Sequence, residues 1–160
     1  MTLVKRAGKV AFYGVPGSGE AVTYQRMKGF TELSISKNPK EYSRQYVDEE
    51  FEQTDVIGYS PSIAYGFDLY EGNAVHEDIV KITDGELIGT DAVRSILLVD
   101  FTDGSETDGY SAVKREFAVI PDEEGNSMDA YTYSGSFKVK GKSVAGKVTL
   151  SNDTATFTAN

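Results

Sequence analysis

The chain has 160 residues, 39% of them hydrophobic and 26% charged, which suits one soluble domain with a real core. It has no cysteine, which excludes disulfide staples, thiolate zinc sites and cysteine nucleophiles, and one histidine, His76, which excludes a paired-histidine relay. The formal net charge of −9 opposes any grip on nucleic acid phosphates.

The opening stretch MTLVKRAGKVAFYG lacks the long apolar run of a secretory signal. No later segment approaches the roughly 18 apolar residues of a membrane helix. The expectation is a protein made and kept in a cytoplasm, or released by lysis, with no membrane partner. Two strand-like runs, KVAFY and AVTYQ, flank GVPGSGEA, from Gly14 to Ala21. Gly14 and Gly19 have the spacing of a phosphate-binding loop, G-x-x-x-x-G-K-[ST]. That loop needs a lysine to neutralise phosphate and a hydroxyl for magnesium. Glu20 and Ala21 stand there instead, and the following residues favour strand over helix. A turn between two strands is the expected structure.

The next stretch, YSRQYVDEEFEQTDVIGYSP, mixes the acids Asp48, Glu49, Glu50, Glu52 and Asp55 with the aromatics Tyr42, Tyr46, Phe51 and Tyr59. Two readings stand side by side for a hairpin around residues 37–60. One is an ordinary solvated hairpin. The other is a projecting hairpin whose aromatics seat on a neighbouring subunit, with its acids at the rim or facing a channel.

SIAYGFDLY alternates strictly, with Ile63, Tyr65, Phe67 and Leu69 on one face. In NAVHEDIVKITDGE the period changes, and Val75, Ile79 and Ile82 recur at i, i+4 and i+7. Asn73 suits an N-cap and Gly85 a stop, predicting one short helix over residues 74–83. His76 is expected to sit exposed at the helix entry, and no oriented partner marks it as a catalytic base. In VRSILLVDF the run Ile96, Leu97, Leu98 and Val99 is continuous, so both faces of that strand are expected to be covered.

DFTDGSETDGY supplies Asp100, Asp103, Glu106 and Asp108, hard oxygen ligands of the kind calcium takes. Phe101 breaks the spacing of an EF-hand loop, and Asp and Gly favour a hairpin turn without any metal. SAVKREFAVI places Val113, Phe117 and Val119 on one face, with Arg115 interrupting. YTYSGSFKVK does the same with Tyr131, Tyr133, Phe137 and Val139. IPDEEGNSMD and KGKSVAGK read as turns, and the ends of the chain, including SNDTATFTAN, as arms with strand-like letters. Short strands separated by Gly, Asp and Asn turns predict a single all-β domain over residues 1–160, an antiparallel sandwich or barrel with one short helix. No cofactor is implied.

From Lys9 to Gly141 the chain resembles the major tail proteins of tailed phages and prophages of Gram-positive bacteria. The likeness is carried by SKNPKEYSRQYVDEEFEQTDVIGYSPSIAYGFDLY, VHEDIVKITDGELIG, AVRSILLVDF and REFAVIPDEEGNSMDAYTYSGSFKVKG, in the same order. The resemblance implies a non-enzymatic tail tube protein with a β-sandwich or barrel and a flanking helix. It implies hexameric rings stacked into a hollow tube, bridged by a long hairpin and terminal arms. DNA would pass through the lumen without specific binding. The implied partners are the tape measure, the tail terminator and the distal tail or baseplate proteins. The implied place is the virion tail, after assembly in the host cytoplasm. The same fold in a phage-derived bacteriocin particle and a monomeric β-sandwich binding module are the rival readings. A nucleotide hydrolase is disfavoured by Glu20.

Overall fold

The computed structural model describes all 160 residues, Met1–Asn160. The strands are β1 (Lys9–Pro16), β2 (Val22–Arg26), β3 (Phe30–Ser36), β4 (Pro39–Arg44), β5 (Gln53–Tyr59), β6 (Ser62–Asp68), β7 (Val93–Ser105), β8 (Gly109–Glu124), β9 (Thr132–Val139), β10 (Val144–Ser151) and β11 (Thr154–Ala159). One helix, α1 (Ala74–Asp84), lies between β6 and β7. The expected class, antiparallel β with one short helix, is the class observed.

Six strands close a barrel in the order β1, β2, β11, β10, β8, β7 and back to β1. Strand β8 is longer than the barrel needs. Its first part, Tyr110 to Lys114, pairs with β10, and its second part, Phe117 to Glu124, pairs with β9. Beyond β9 the sheet continues through β6 to β3, forming a wing that leaves the barrel and lies over its outer wall. IPDEEGNSMD and KGKSVAGK read as turns in the sequence, but β8 runs on to Glu124 and β10 starts at Val144. A register shift between Pro121 and Glu123 lets the strand pass a proline that cannot donate to the ladder.

Along β1 and β7 the barrel wall is buried on both faces. Along β1, Phe12 points into the barrel, while Ala11 and Tyr13 point outward under the wing. On β7, Leu97 and Val99 join the barrel interior and Ile96 the outer cluster, as the continuous apolar run implied. The outer cluster is the larger, and Tyr65, Phe67, Tyr133 and Phe137 from the wing meet Phe117 and Val119 from β8 there. Each such side chain contributes about 1.5–3 kcal/mol by leaving water. The Tyr65 and Phe137 rings stack at 4.5 Å. Gly135 makes room for this packing, because a Cβ there would lie 2.4 Å from the Ile120 carbonyl oxygen and 2.7 Å from the Tyr65 hydroxyl. Two expected inward residues are not buried: Tyr131 precedes β9 and is exposed, and Val113 faces an open groove.

Helix α1 seals one end of the space between wing and barrel. The Asn73 side chain accepts from the Val75 and His76 amides at 3.1 and 3.2 Å, so the predicted cap is present. Val75, Ile79 and Ile82 form the buried stripe. Gly85 ends the helix by close approach, since a Cβ there would lie 2.8 Å from the Lys81 carbonyl oxygen. A buried ion pair pins the helix to the barrel. Arg94 on β7 donates to both carboxylate oxygens of Asp78, at 2.8 and 3.3 Å, and the two side chains are only 10% and 9% exposed. Tyr13 from β1 donates its hydroxyl to the same carboxylate. Arg94 also donates to the Asp91 and Val93 carbonyls. Burial works against the guanidinium charge, but the Asp78 hydrogen bond and charge outweigh it and hold its pKa above the ordinary value. Burial, then the Asp78 charge, pushes the Tyr13 hydroxyl well up, so it stays a donor.

Asp78→Asn keeps the shape but leaves the Arg94 charge uncompensated in a dry site. It is expected to destabilise the fold by about 3–5 kcal/mol, read from urea denaturation midpoints.

Candidate functional site

The glycine-rich stretch builds no phosphate cradle. Residues 17–21 form the loop between β1 and β2, closed by the Gly17 amide donating to the Ala21 carbonyl at 2.7 Å. A strand follows it, so no helix N-terminus faces the loop. Gly14 lies within β1, where a Cβ would meet Val22 at 2.8 Å and the Ser95 carbonyl at 2.9 Å. Gly14 serves strand packing and Gly19, with φ +69°, serves the turn, which accounts for the spacing without a nucleotide.

The acidic loop is the β7–β8 hairpin. Asp100 accepts from the Thr102 amide and hydroxyl and pairs with Lys9 at 3.4 Å. The Thr102 hydrogen bonds, aided by Lys9, hold its carboxyl below the usual range. Asp103, Glu106 and Asp108 are exposed, and nowhere in the chain do three or more acid or histidine side chains gather as a metal would need.

His76 differs from expectation: it is completely buried. The Asn73 cap turns it onto the stripe beside Ile79, where it stacks on Phe67 at 4.3 Å and meets the edge of Phe30. Its Nδ1 accepts from the Tyr70 amide at 3.2 Å, which leaves Nε2–H to donate to the Lys28 carbonyl at 2.7 Å. Gly29, with φ +76°, leaves room for the ring, since a Cβ there would lie 2.9 Å from the His76 Cε1. Both nitrogens are engaged, so neither is free to take a substrate proton. Burial pushes its pKa below 6.5.

The aromatic and acidic stretch forms a two-stranded sheet of its own. Strand β4 pairs with β5 from Pro39↔Tyr59 to Arg44↔Gln53, with no third strand. It prolongs the β3–β6 ladder past a break at Asn38, which has φ 47° and donates to the Ser60 carbonyl and the Ser62 hydroxyl. Nearly every residue from 34 to 60 is exposed. Phe51 is 80% exposed, Tyr59 63%, and Tyr42 and Tyr46 somewhat less, with Val47, Val56 and Ile57 uncovered beside them. Asp48, Glu49, Glu50, Glu52 and Asp55 are all exposed. Within the tip, the Glu49 amide donates to the Tyr46 carbonyl at 3.1 Å and Gln53 donates to the Glu49 carboxylate at 2.6 Å. The structure thus gathers the four aromatics and five acids on one element and gives none of them a place in the core.

An acidic hollow that the sequence did not advertise lies at the wing's far side. Asp84, Glu86, Asp122, Glu123 and Glu124 surround Tyr131 and Tyr133 there. Burial, then the charges of Asp84 and Glu124, pushes the Tyr133 hydroxyl up to about 12. These acids come from α1's end and from β8, far apart in sequence.

No protein-family model and no curated protein matches the chain. A solved structure does. It is a chain in the tail of an empty GTA (gene transfer agent) particle, obtained by helical refinement with C6 symmetry. The two superpose with a TM-score of 0.62 over 98% of this chain and 100% of that one, at 15% identity. The fold is that of a particle-tail chain. This tail fold accounts for the barrel, the wing and the helix together, since the match spans nearly the whole length.

Two outcomes follow from this geometry. Glu20→Lys, which restores the missing lysine, is expected to yield no ATP hydrolysis in a phosphate-release assay. His76 has a folded pKa below its unfolded value of 6.5. Its contribution to stability is therefore full above pH 6.5 and is lost as pH falls toward the folded pKa. Thermal melts of the protein and of His76→Gln between pH 7.5 and 5 are expected to show a shallower pH slope in the variant.

Proposed function

We propose that this chain is a structural tail tube protein, forming hexameric rings that stack into a hollow tube for genome passage. The observation that carries the reading is the end-to-end likeness to a chain from a C6-symmetric tail. The exposed hairpin supports it. An isolated two-stranded hairpin is marginal in water and gains stability when a further surface covers it. Apolar residues uncovered on such an element suit a neighbouring subunit. Tyr46 and Phe51 anchor the hairpin on that neighbour, and Tyr42 and Tyr59 extend the contact toward its base. The acids stay solvated at the rim.

The net charge of −9 fits a conduit. Attraction to phosphate supplies non-specific affinity for DNA, and an acidic wall withholds it, so the nucleic acid keeps its hydration and moves. The role calls for no catalytic residue and no cofactor. Its partners are further copies of the chain, a tape measure within the tube, and terminator and distal tail proteins at its ends. The working place is the particle tail, reached by assembly in the host cytoplasm.

Negative-stain microscopy of the purified protein tests the reading. Rings or tubes are expected, at high concentration or after seeding. A chain that stays monomeric at every concentration, and that enters no tube in infected cells, favours the binding-module alternative. Phe51→Ala is expected to block assembly by removing about 2 kcal/mol or more from the interface. The isolated chain's melting should stay within about 0.5 kcal/mol of the unmodified protein. Glu49→Ala and Glu50→Ala are expected to assemble almost normally.

A further inference from the structure

Helix α1 closes only one end of the space between the wing and the barrel. At the other end, by Lys9 and Asp100, the space opens as a groove of about 570 Å³. Its floor is the outer wall of the barrel, with Ala11, Leu98 and Val113. Its side is the wing, with Leu33, Ile35 and Ile63. The rim carries Arg6, Lys9 and Lys37 against one acid, Asp100. Lys9 pairs with Asp100, and Arg6 donates to the Lys9 and Leu33 carbonyls. The chain's other two ion pairs use Lys28 and Arg94, so Arg6 and Lys37 have no acid partner in the chain. A basic, apolar-floored groove on a molecule of net charge −9 calls for an occupant with the opposite pattern.

That pattern exists on the same chain. The hairpin tip, Gln45 to Glu52, carries Asp48, Glu49, Glu50 and Glu52 and no basic residue, with Val47 fully and Phe51 largely exposed beside them. We infer that this groove is the receptor for the hairpin tip of a second copy. Phe51 enters the apolar floor with Val47 beside it, and the acids, still solvated, face Arg6 and Lys37 across the rim. This rests on the tail tube reading and names the acceptor that the reading leaves open. The volume falls in the range of about 300–1,000 Å³ that receives compact apolar ligands, so it holds more than one side chain. A molecule cannot fill its own groove. The hairpin leaves the body at Lys37, on the groove's rim, and six residues of β4 at about 3.3 Å each carry the tip roughly 20 Å away. Donor and acceptor are different surfaces, so the contact is heterologous and propagates into rings or stacks. Opposite charges at the rim set register and speed encounter more than they add affinity.

The cysteine-free sequence makes the test clean. The full chain carrying Val47→Cys and Val113→Cys is assembled and oxidised, and non-reducing gels are compared with a control carrying Val47→Cys and Ile88→Cys. Ile88 is exposed and lies outside the groove. The expected result is a ladder of covalent multimers from the groove pair in tubes only, at least about fivefold above the control. Tubes in which the groove pair links no better than the control overturn the proposal and leave the tube reading standing. Failure of the unmodified chain to form any tube overturns both.

A second measurement covers a cysteine variant that does not assemble. Arg6→Glu with Lys37→Glu is expected to raise the concentration needed for tubes about tenfold. Adding Glu49→Lys with Glu50→Lys is expected to bring it back within about threefold of the unmodified chain. Absence of that rescue overturns the proposal.

Discussion

One strand belongs to two structures at once. The first part of β8 closes the barrel against β10, and its second part carries β9, β6 and β3 away as the wing. Backbone hydrogen bonds must be satisfied along its whole length, so the partner change near Arg115 and Glu116 fixes where barrel ends and wing begins. From that point the rest follows. The wing lies over the barrel's outer wall, α1 plugs one end of the space between them, and the Asp78–Arg94 pair holds the plug in place. At the other, open end β3 lines the groove with Leu33 and Ile35 and leads into the hairpin at Lys37.

The core and the large uncovered aromatics are thereby drawn from different residues. Groups that suggest chemistry in the sequence are taken up by packing. His76 bonds two backbone groups, Gly14 lets strands approach, and Asp100 ties its own turn to Lys9. The uncovered aromatics sit on an element with no part in either core cluster. Changes at the hairpin can therefore alter that surface without a matching loss of fold.

Local patterns were legible. SIAYGFDLY, the Asn73-capped helix and the continuous Ile96–Val99 run each read correctly, because period and capping act within a few residues. The barrel's closure was not, because β11 with β2 and β8 with β10 are pairings between distant segments. IPDEEGNSMD and KGKSVAGK contain turn-favouring letters, and tertiary pairing overrode them at Pro121 to Glu124 and from Val144. His76 looked exposed because the sequence does not say that Phe67 and Gly29 would converge on its ring. The hairpin's composition stood out because its aromatics and acids are contiguous. The groove was invisible, since its lining is drawn from residues between Arg6 and Val113 in five separate segments.

In the tube proposed above, the hairpin's separation from the body has a kinetic consequence. A segment held by one pair of strands contributes little to holding itself still, so each docking event must supply the ordering entropy of the backbone, about 1–2 kcal/mol for every residue newly fixed, and that of the side chains besides. An encounter between two free copies gains a single contact against that cost. A copy arriving at a growing end meets a neighbour already ordered and gains more for the same loss. Growth is then favoured over spontaneous nucleation, and free subunits can accumulate in solution until a seed sets where, and in which direction, polymerisation begins.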